Sequence, residues 1–333
     1  MPETMTTESF DFLTGEISQS DISSFADEKV NLKREHAQRY REQVANLRNH
    51  LDRYISEHPD IGLVKMLLSG SLAKGTALRT LNDVDVALYV KGESAPNELG
   101  ELLNWLVEKL RKTYSQMAPE KINVDGPAIT ISFSGTGIDV DIVPVYYLGD
   151  PQWRGYLWDR RTGEKILTSI PQHLDFIRKR KDKQPTHFAQ TIRLAKWWAR
   201  QREKDDQNLF FRSFLIELLI AKLSDSGKIF SDYHVGLEHF FLYIQKTGLK
   251  ERVAFSDYYS STKLPKTSAG VVEIFDPVNP ENNVAHDMTD EIRKKLVTHS
   301  ESALDALSYA KTCRTKAAAL ECWQEVMGSS FNA

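Results

Sequence analysis

A glycine-serine step and two aspartate pairs are the residues whose types and spacing could do chemistry. Gly70-Ser71 ends an apolar run of strand length at 63–69, and Asp83 and Asp85 begin a second such run. Because side chains alternate along a strand, these two aspartates face the same way and can offer two oxygen ligands to one site. Mg²⁺ binds in this way, through one or two carboxylates together with waters and substrate phosphates.

A third carboxylate comes from the run GIDVDIVP at 137–144, where Asp139 and Asp141 alternate with apolar residues. Both aspartates lie on the same face of the strand, so the alternation of side chains does not show which of them is the third ligand. Three carboxylates suit a pair of divalent cations, which activates an attacking hydroxyl and neutralises a phosphate chain. Gly70 would let a phosphate approach the backbone, and Ser71 and the amides after it could donate to that phosphate.

Each of these features alone has an ordinary structural explanation. An isolated Gly-Ser is typical of a turn, and an isolated Asp-x-Asp is typical of surface or capping positions. Acidic residues inside apolar strands are unusual, however, because such a framework normally excludes charge. Together the residues predict a metal-dependent phosphate site.

The elements around these residues predict an α/β core followed by helices. An amphipathic helix is predicted over 30–57, where apolar residues recur every three or four positions. The predicted strands are 63–69, 84–90, 128–133 and 138–145, with a helix over 98–114. From about residue 171 helical periodicity dominates, over 187–202, 213–223, 237–247 and 289–311.

Three segments follow from these changes in pattern. Residues 1–28 contain seven acidic and no basic residues, and this polar segment is predicted to be a flexible tail. Residues 29–170 are predicted to form the α/β core with its long first helix, and residues 171–333 the helical domain. Glycine and proline cluster between 149 and 171, which places the joint near 150–172.

Composition limits the class of protein. The 333 residues are 41% hydrophobic and 27% charged, which is globular and excludes a disordered, collagen-like or disulfide-rich chain. No apolar run approaches the roughly 18 residues that span a bilayer, and the acidic start lacks signal-peptide features, so we expect a cytoplasmic protein with no membrane partner. Cys313 and Cys322 are expected to be reduced and buried, and the histidines show no metal-ligand spacing.

The net charge of −3 hides an uneven distribution. Outside the first 28 residues the chain has 43 basic and 39 acidic residues, a net charge of +4. Residues 176–204 contain two acidic residues and these ten basic ones: Arg178, Lys179, Arg180, Lys181, Lys183, Arg193, Lys196, Arg200, Arg202 and Lys204. Such a run is typical of a solvated helical face. It could also attract ATP, with Lys196 pointing inward, or contact the phosphates of duplex DNA.

The order of Gly-Ser, Asp-x-Asp and third Asp resembles the nucleotidyltransferase fold related to DNA polymerase β. The runs RLAKWW at 193–198 and FRSFLIELL at 211–219 resemble the oligoadenylate synthase helices. The runs GSLAKGTALRTLNDVDVALYV, DVDIVPV, SIPQHLDFI and DPVNPENNVA are similar to those of the cGAS/DncV-like nucleotidyltransferases of bacterial CBASS anti-phage systems. The most similar clade is the one encoded beside HORMA-domain proteins and an AAA+ ATPase, and the resemblance covers nearly the whole chain.

The resemblance implies a fold and a set of site residues. The fold is a polymerase-β-like core with a mixed sheet, a C-terminal helical domain and a long N-terminal helix that braces both. The metal carboxylates fall on Asp83, Asp85 and Asp141, with Asp139 just before the motif position, and hold two Mg²⁺ ions or Mn²⁺ as a substitute. The nucleotide contacts fall on Gly70, Ser71, Thr76, Lys196 and Ser213, with Asp276 and Asn283 shaping the base pocket.

The activity implied is the joining of ATP molecules into a cyclic oligonucleotide, cyclic tri-AMP in this clade, with pyrophosphate as the leaving group. Such a product signals phage infection to an effector. The implied partners are a HORMA-domain activator, an AAA+ ATPase regulator and double-stranded DNA in the activated complex. The zinc-binding His/Cys cluster of animal cGAS has no counterpart in this sequence.

Other functions remain open at this point. Within enzymes, they are a cyclic di- or mixed-nucleotide synthase, a linear oligoadenylate synthase and a nucleotidyltransferase acting on RNA ends. A different class is a non-catalytic nucleotide sensor with a degenerate site. The presence of the Gly-Ser and of three carboxylates argues against that last function.

Overall fold

The computed structural model of the chain describes residues 16–58, 62–91, 95–158, 162–267 and 270–333. The strands are β1 Leu63–Leu68, β2 Asp83–Lys91, β3 Ile122–Asp125, β4 Ala128–Phe133, β5 Ile138–Tyr147, β6 Gly155–Trp158 and β7 Lys165–Thr168. The α-helices are α1 Gln19–Phe25, α2 Arg34–Glu57, α3 Gly70–Lys74, α4 Leu99–Thr113, α5 Ile170–Lys183, α6 Phe188–Asp205, α7 Ser213–Asp225, α8 Tyr233–Thr247, α9 Asp290–Ala310 and α10 Lys316–Met327.

One mixed sheet carries the acidic residues. Its strand order is β1-β2-β5-β4-β3, with β6 paired to the end of β5 and β7 paired to β6. The central strands β2 and β5 are parallel, and their register places Asp83 opposite Asp139 and Asp85 opposite Asp141. Because paired residues in a sheet share a face, all four aspartates lie on the same side of it.

Buried apolar side chains form two large clusters. One packs the sheet against α2 and α4 and includes Leu47, Val84, Leu106 and Val140. The other lies among α5 to α10, where α7 is apolar on most sides and is therefore enclosed by its neighbours. This arrangement confirms the predicted α/β core followed by helices, whereas the domain boundary at residue 170 stays a prediction. In the described ranges, no helix is long and apolar enough to cross a membrane.

The start of the described chain differs from the predicted tail. A capping box formed by Ser18 and Asp21 begins α1, and a π-helical turn over Ala26–Val30 follows it. Phe25 is buried in the helical cluster, with its ring edge-on to Trp197. The flexible-tail prediction was therefore wrong for residues 16–28, where a few spaced apolar residues outweigh the acidic ones. Residues 1–15 of the predicted tail lie outside the described ranges.

The predicted joint near 150–172 is also part of the sheet. Residues 155–158 and 165–168 form β6 and β7, which extend the sheet beyond the end of β5. Gly155 has no room for a side chain, because a Cβ there would come within 2.7 Å of the Tyr146 carbonyl oxygen. This glycine therefore marks a close strand pairing rather than a linker.

Candidate active site

Three carboxylates lie together on the two central strands. Asp83 and Asp85 come from β2 and Asp141 from β5, and the carboxyl groups of Asp83 and Asp141 are in contact. Burial, and then the charges of Asp83 and Asp141, raise the pKa of Asp85 from 3.8 to about 6. Lys74 and Lys196 are close enough to offset part of this effect. A cluster of like charges of this kind is typical of a functional site.

The donor set fits a divalent metal ion. All three groups are hard carboxylate oxygens, which Mg²⁺ prefers, and a cation would relieve their mutual repulsion. Asp141 is oriented by Thr130 of β4, whose hydroxyl donates to Asp141 Oδ1 at 2.6 Å. In the conformation observed, no three His, Cys, Asp or Glu side chains of the described ranges are placed to hold an ion. Asp139, two residues before Asp141, is exposed.

Gly70 sets how closely α3 approaches the carboxylates. Its φ is +61°, in the left-handed region that glycine tolerates. A Cβ at this position would overlap the Asp85 carboxylate, so the aspartate packs directly against the Gly70 backbone. The amide of Ser69 donates to the Asp85 carbonyl at 2.9 Å, which fixes the start of α3 to β2. Ser71, next along the chain, is therefore held beside the carboxylate cluster.

A buried glutamate links the sheet to the helical cluster. Glu217 of α7 is 2% exposed. It accepts hydrogen bonds from Lys196 Nζ at 2.6 Å, from Lys74 Nζ at 2.8 Å and from Thr76 Oγ1 at 2.7 Å. Burial opposes the ionisation of Glu217, but the charges of Lys196 and Lys74 outweigh it and lower the pKa to about 2. One carboxylate thus holds two lysines at the edge of the site.

Helix α6 contacts the loop between α3 and β2 with three cations. Arg193 donates to the Gly75 carbonyl at 2.6 Å, at the start of this loop. Lys196 donates to the hydroxyl of Thr76 at 3.1 Å, and Arg200 donates to the hydroxyl of Thr80. Since residues spaced by three and four share a helix face, the three cations form one stripe along the loop.

The basic stretch 176–204 is therefore not one solvated face. Arg180 is buried and pairs with two aspartates, Asp225 and Asp257. Arg193 is largely enclosed by backbone and amide oxygens, and Lys196 is 3% exposed. The inward direction predicted for Lys196 is what the structure shows, and Arg180 and Arg193 share it.

Lys196 and Ser213, the residues expected to hold a triphosphate, line one cavity of about 330 Å³. Ser213 begins α7 and is exposed, and Phe214 follows it. Lys74 Nζ lies 4.4 Å from the centre of the Phe214 ring. The ring of His173 meets the same phenyl ring edge-on, with 5.6 Å between centroids. An aromatic surface therefore lies next to the lysines of the site.

Thr76, expected to contact a nucleotide, and Asp276 and Asn283, expected to shape the base pocket, are all buried. Thr76 is fully buried, and its hydroxyl donates to Glu217. Asp276 is 4% exposed, and its carboxylate is hydrogen-bonded to His173 at 2.8 Å and to backbone and amide groups of its own loop. The side chain of Asn283 is bonded to three backbone groups. The polar atoms of these three side chains are thus hydrogen-bonded within the fold.

Sequence reasoning missed Lys74, Thr130 and Glu217. The sequence could have indicated Glu217, because it is the one acidic residue in the apolar run FLIELLI. A charge in a buried helix requires a partner. Lys74 lies one helical turn after Gly70, but a lysine on a short helix is ordinarily solvated. Thr130 had no signal, because threonine is common in strands.

Comparisons with known proteins agree with this geometry. Residues 17–179 match the family model described as Second Messenger Oligonucleotide or Dinucleotide Synthetase domain. A protein of Escherichia coli (strain MS 115-1) named Cyclic AMP-AMP-AMP synthase is 46% identical over 318 residues, covering 96% of this chain and 99% of that protein. A protein of Escherichia coli (strain KTE188) named CBASS oligonucleotide cyclase CdnC is 32% identical over 320 residues, covering 95% and 98%.

Solved structures of E. coli MS115-1 CdnC show the same fold, with a TM-score of 0.91 and 46% identity. One is its complex with HORMA-deltaN, covering 96% of this chain and 100% of that chain, and one contains ATP, covering 95% and 99%. These matches confirm the predicted nucleotidyltransferase fold and the predicted enzyme class. The chain therefore belongs to the CBASS oligonucleotide cyclases, the cGAS/DncV-like nucleotidyltransferases of bacterial anti-phage systems.

Proposed function

We propose that this oligonucleotide cyclase converts ATP into cyclic tri-AMP, releases pyrophosphate and thereby signals phage infection to an effector. The observation that carries the proposal is the 46% identity, along nearly the whole chain, to the E. coli protein named for that product. The grouping of Asp83, Asp85 and Asp141 beside Gly70 supports nucleotidyl transfer at this place. We also propose that the protein acts in the cytoplasm, where ATP is available.

Asp83, Asp85 and Asp141 are the proposed metal ligands. Nucleotidyltransferases of this family use a divalent metal, and we assign two Mg²⁺ ions, with Mn²⁺ as a substitute. When bound, the ions lower the pKa of the attacking ribose hydroxyl and neutralise the triphosphate charge. The contact between Asp141 and Asp83, and the exposure of Asp139, favour Asp141 as the third ligand. Asp141 also assists removal of the hydroxyl proton.

Ser71, Lys196 and Ser213 are the proposed triphosphate ligands, with Gly70 allowing the close approach. Lys196 supplies a positive charge that Glu217 fixes in place, and Ser213 supplies an exposed hydroxyl from the start of α7. Groups from both sides of the cavity would hold the donor in line with the attacking hydroxyl.

Phe214 is the proposed stacking surface for adenine. Its ring is only partly buried and lies beside Ser213, so a base can pack on it while the phosphates reach the lysines. Asp276 acts through His173, whose ring it holds against Phe214. Asn283 contributes by fixing the loop that carries Asp276.

A HORMA-domain protein is the proposed activator, because the E. coli relative has been solved in complex with HORMA-deltaN. An AAA+ ATPase regulator and double-stranded DNA in the activated complex belong to the same proposal, by resemblance to this clade. Exposed basic residues of 176–204 such as Lys183 and Lys204 are available to DNA.

The product test uses labelled nucleotides. ATP, GTP, CTP and UTP are supplied singly and together with Mg²⁺, and products are identified by mass spectrometry, phosphatase treatment and linkage-specific nuclease digestion. ATP alone is expected to give a phosphatase-resistant cyclic trinucleotide. A linear, phosphatase-sensitive product, a product attached to added RNA or a requirement for a second nucleotide would contradict the proposal.

The same assay with the HORMA-domain partner added tests the activation. We expect weak synthesis by the isolated enzyme and a clear increase with the partner, with and without DNA compared in parallel. Equal rates with and without the partner would contradict a role for it as activator and leave the product assignment intact.

A further inference from the structure

Arg200 is a guanidinium that forms no ion pair with the part of the chain that the structure describes. It lies one turn after Lys196 in α6, about 6 Å further along the helix axis. It lines the cavity of about 330 Å³ that Lys196 and Ser213 share, together with Glu203, Phe210 and Arg212. Its side chain is partly buried and contacts the neutral hydroxyl of Thr80.

The other charged groups of this cavity are already engaged. Lys196 is bonded to Glu217 at 2.6 Å, and Arg212 is paired with Asp287. The Glu203 carboxylate accepts a hydrogen bond from the Phe211 amide at 2.9 Å, and the nearby charge of Arg200 favours its ionised form without a direct ion pair. In the described ranges, no carboxylate oxygen lies within 4.0 Å of the Arg200 guanidinium nitrogens. Among the residues that the structure describes, Arg200 is therefore a cation of this cavity without a direct ion pair.

A guanidinium in this state suits a phosphate. Its five donors form a planar fork that matches two phosphate oxygens, and Thr80 accepts from one of those donors. Thr80 lies on the loop that leads to Asp83, so one end of the guanidinium lies at that loop. An anion bound here would lie between α6 and that loop, on the same side as Lys196.

We propose that Arg200 binds the terminal phosphate of the donor nucleotide and makes the enzyme select triphosphates over diphosphates. The inference rests on the proposed function, since it extends the triphosphate site from Lys196 and Ser213 along α6. It also gives the basic stretch 176–204 a second residue that serves the nucleotide.

The test compares the binding of ATP, ADP and AMP by calorimetry, with Mg²⁺ in every titration. Arg200→Met keeps the length of the side chain and removes the charge. Its affinity for ATP is expected to fall about tenfold to a hundredfold, as for the loss of a charge-assisted hydrogen-bonded pair, while AMP binding is unchanged. Arg200→Lys keeps the charge but not the planar guanidinium. Its affinity for ATP is expected to lie between those of the wild type and Arg200→Met. Arg48→Met, on the exposed side of α2, is the matched control.

Two results would overturn the inference. An unchanged ATP affinity in Arg200→Met would show that the residue contacts no phosphate and belongs to the general basic surface. Equal weakening of ATP, ADP and AMP would show that it acts by shaping the fold. Either result leaves the proposed function standing if the wild-type enzyme makes the cyclic product. Failure of the wild-type enzyme to make that product would contradict the proposed function, on which this inference rests, whatever the measured ATP affinities are.

Discussion

Replacing both acidic residues of β2, Asp83→Asn with Asp85→Asn, is expected to abolish oligonucleotide synthesis. The double variant removes two of the three carboxylates that face the site from adjacent strands. Loss of the metal ligands removes several kcal/mol of transition-state stabilisation, so the rate should fall at least about a thousandfold. The measurement is cyclic product formed per unit time from ATP, with the folded state checked by thermal unfolding.

The matched control is Asp139→Asn. It removes an exposed carboxylate that lies on the same face of β5, two residues before Asp141. We expect it to keep wild-type activity. The double variant should be at least as stable as the wild type without metal, because burial and like charges oppose the ionised form of Asp85. Synthesis that survives in the double variant, or that Asp139→Asn abolishes, would contradict the assignment.

Replacing Glu217 by Gln is expected to have the largest effect on stability. The substitution leaves two lysines, Lys196 and Lys74, beside a buried neutral group. Removing one partner of a buried ion pair typically costs roughly 3–5 kcal/mol, because the other charge stays buried and unpaired. The free energy of unfolding, measured with urea at neutral pH, should fall by that amount. Synthesis should fall as well, since both lysines lose their fixed position.

The loss of stability caused by Glu217→Gln should also depend on pH. The pKa of Glu217 is lowered from 4.5 to about 2 in the folded protein, so its stabilisation is present above about pH 4.5. This stabilisation is lost as the pH falls towards 2. The difference in the free energy of unfolding between the wild type and Glu217→Gln should therefore become smaller over that range. Glu321→Gln, on the exposed side of α10, is the control. A Glu217→Gln protein as stable as the wild type at pH 7 would refute the role of this contact.

The long elements and the carboxylates could be predicted from the sequence. Periodicity is preserved along α2 and through most of β5, each of which buries one regular face, whereas β2 is buried on both faces over 86–90 and shows as a continuous apolar run after its two aspartates. The short strands β3, β6 and β7 span four residues each, too few for periodicity to show. Their pairing with neighbouring strands, a non-local effect, determines them.

The contacts between the two halves of the chain could not be predicted in this way. Thr76 and Glu217 are 141 positions apart, and their hydrogen bond depends on how α7 packs against the loop that follows α3. The same holds for His173 and Asp276, which are 103 positions apart. Spacing within one element carries no information about such pairs. Thr76 was expected to contact the nucleotide and Asp276 to shape the base pocket, and the structure shows both side chains bonded within the fold.

A crystal structure of the protein with Mn²⁺ and a non-hydrolysable ATP analogue tests the central claim most directly, because Mn²⁺ can be located by its anomalous scattering. The account predicts Mn²⁺ peaks among Asp83, Asp85 and Asp141, with the triphosphate running from them to Lys196 and Ser213. Peaks elsewhere, or a triphosphate bound away from Lys196 and Ser213, would contradict it.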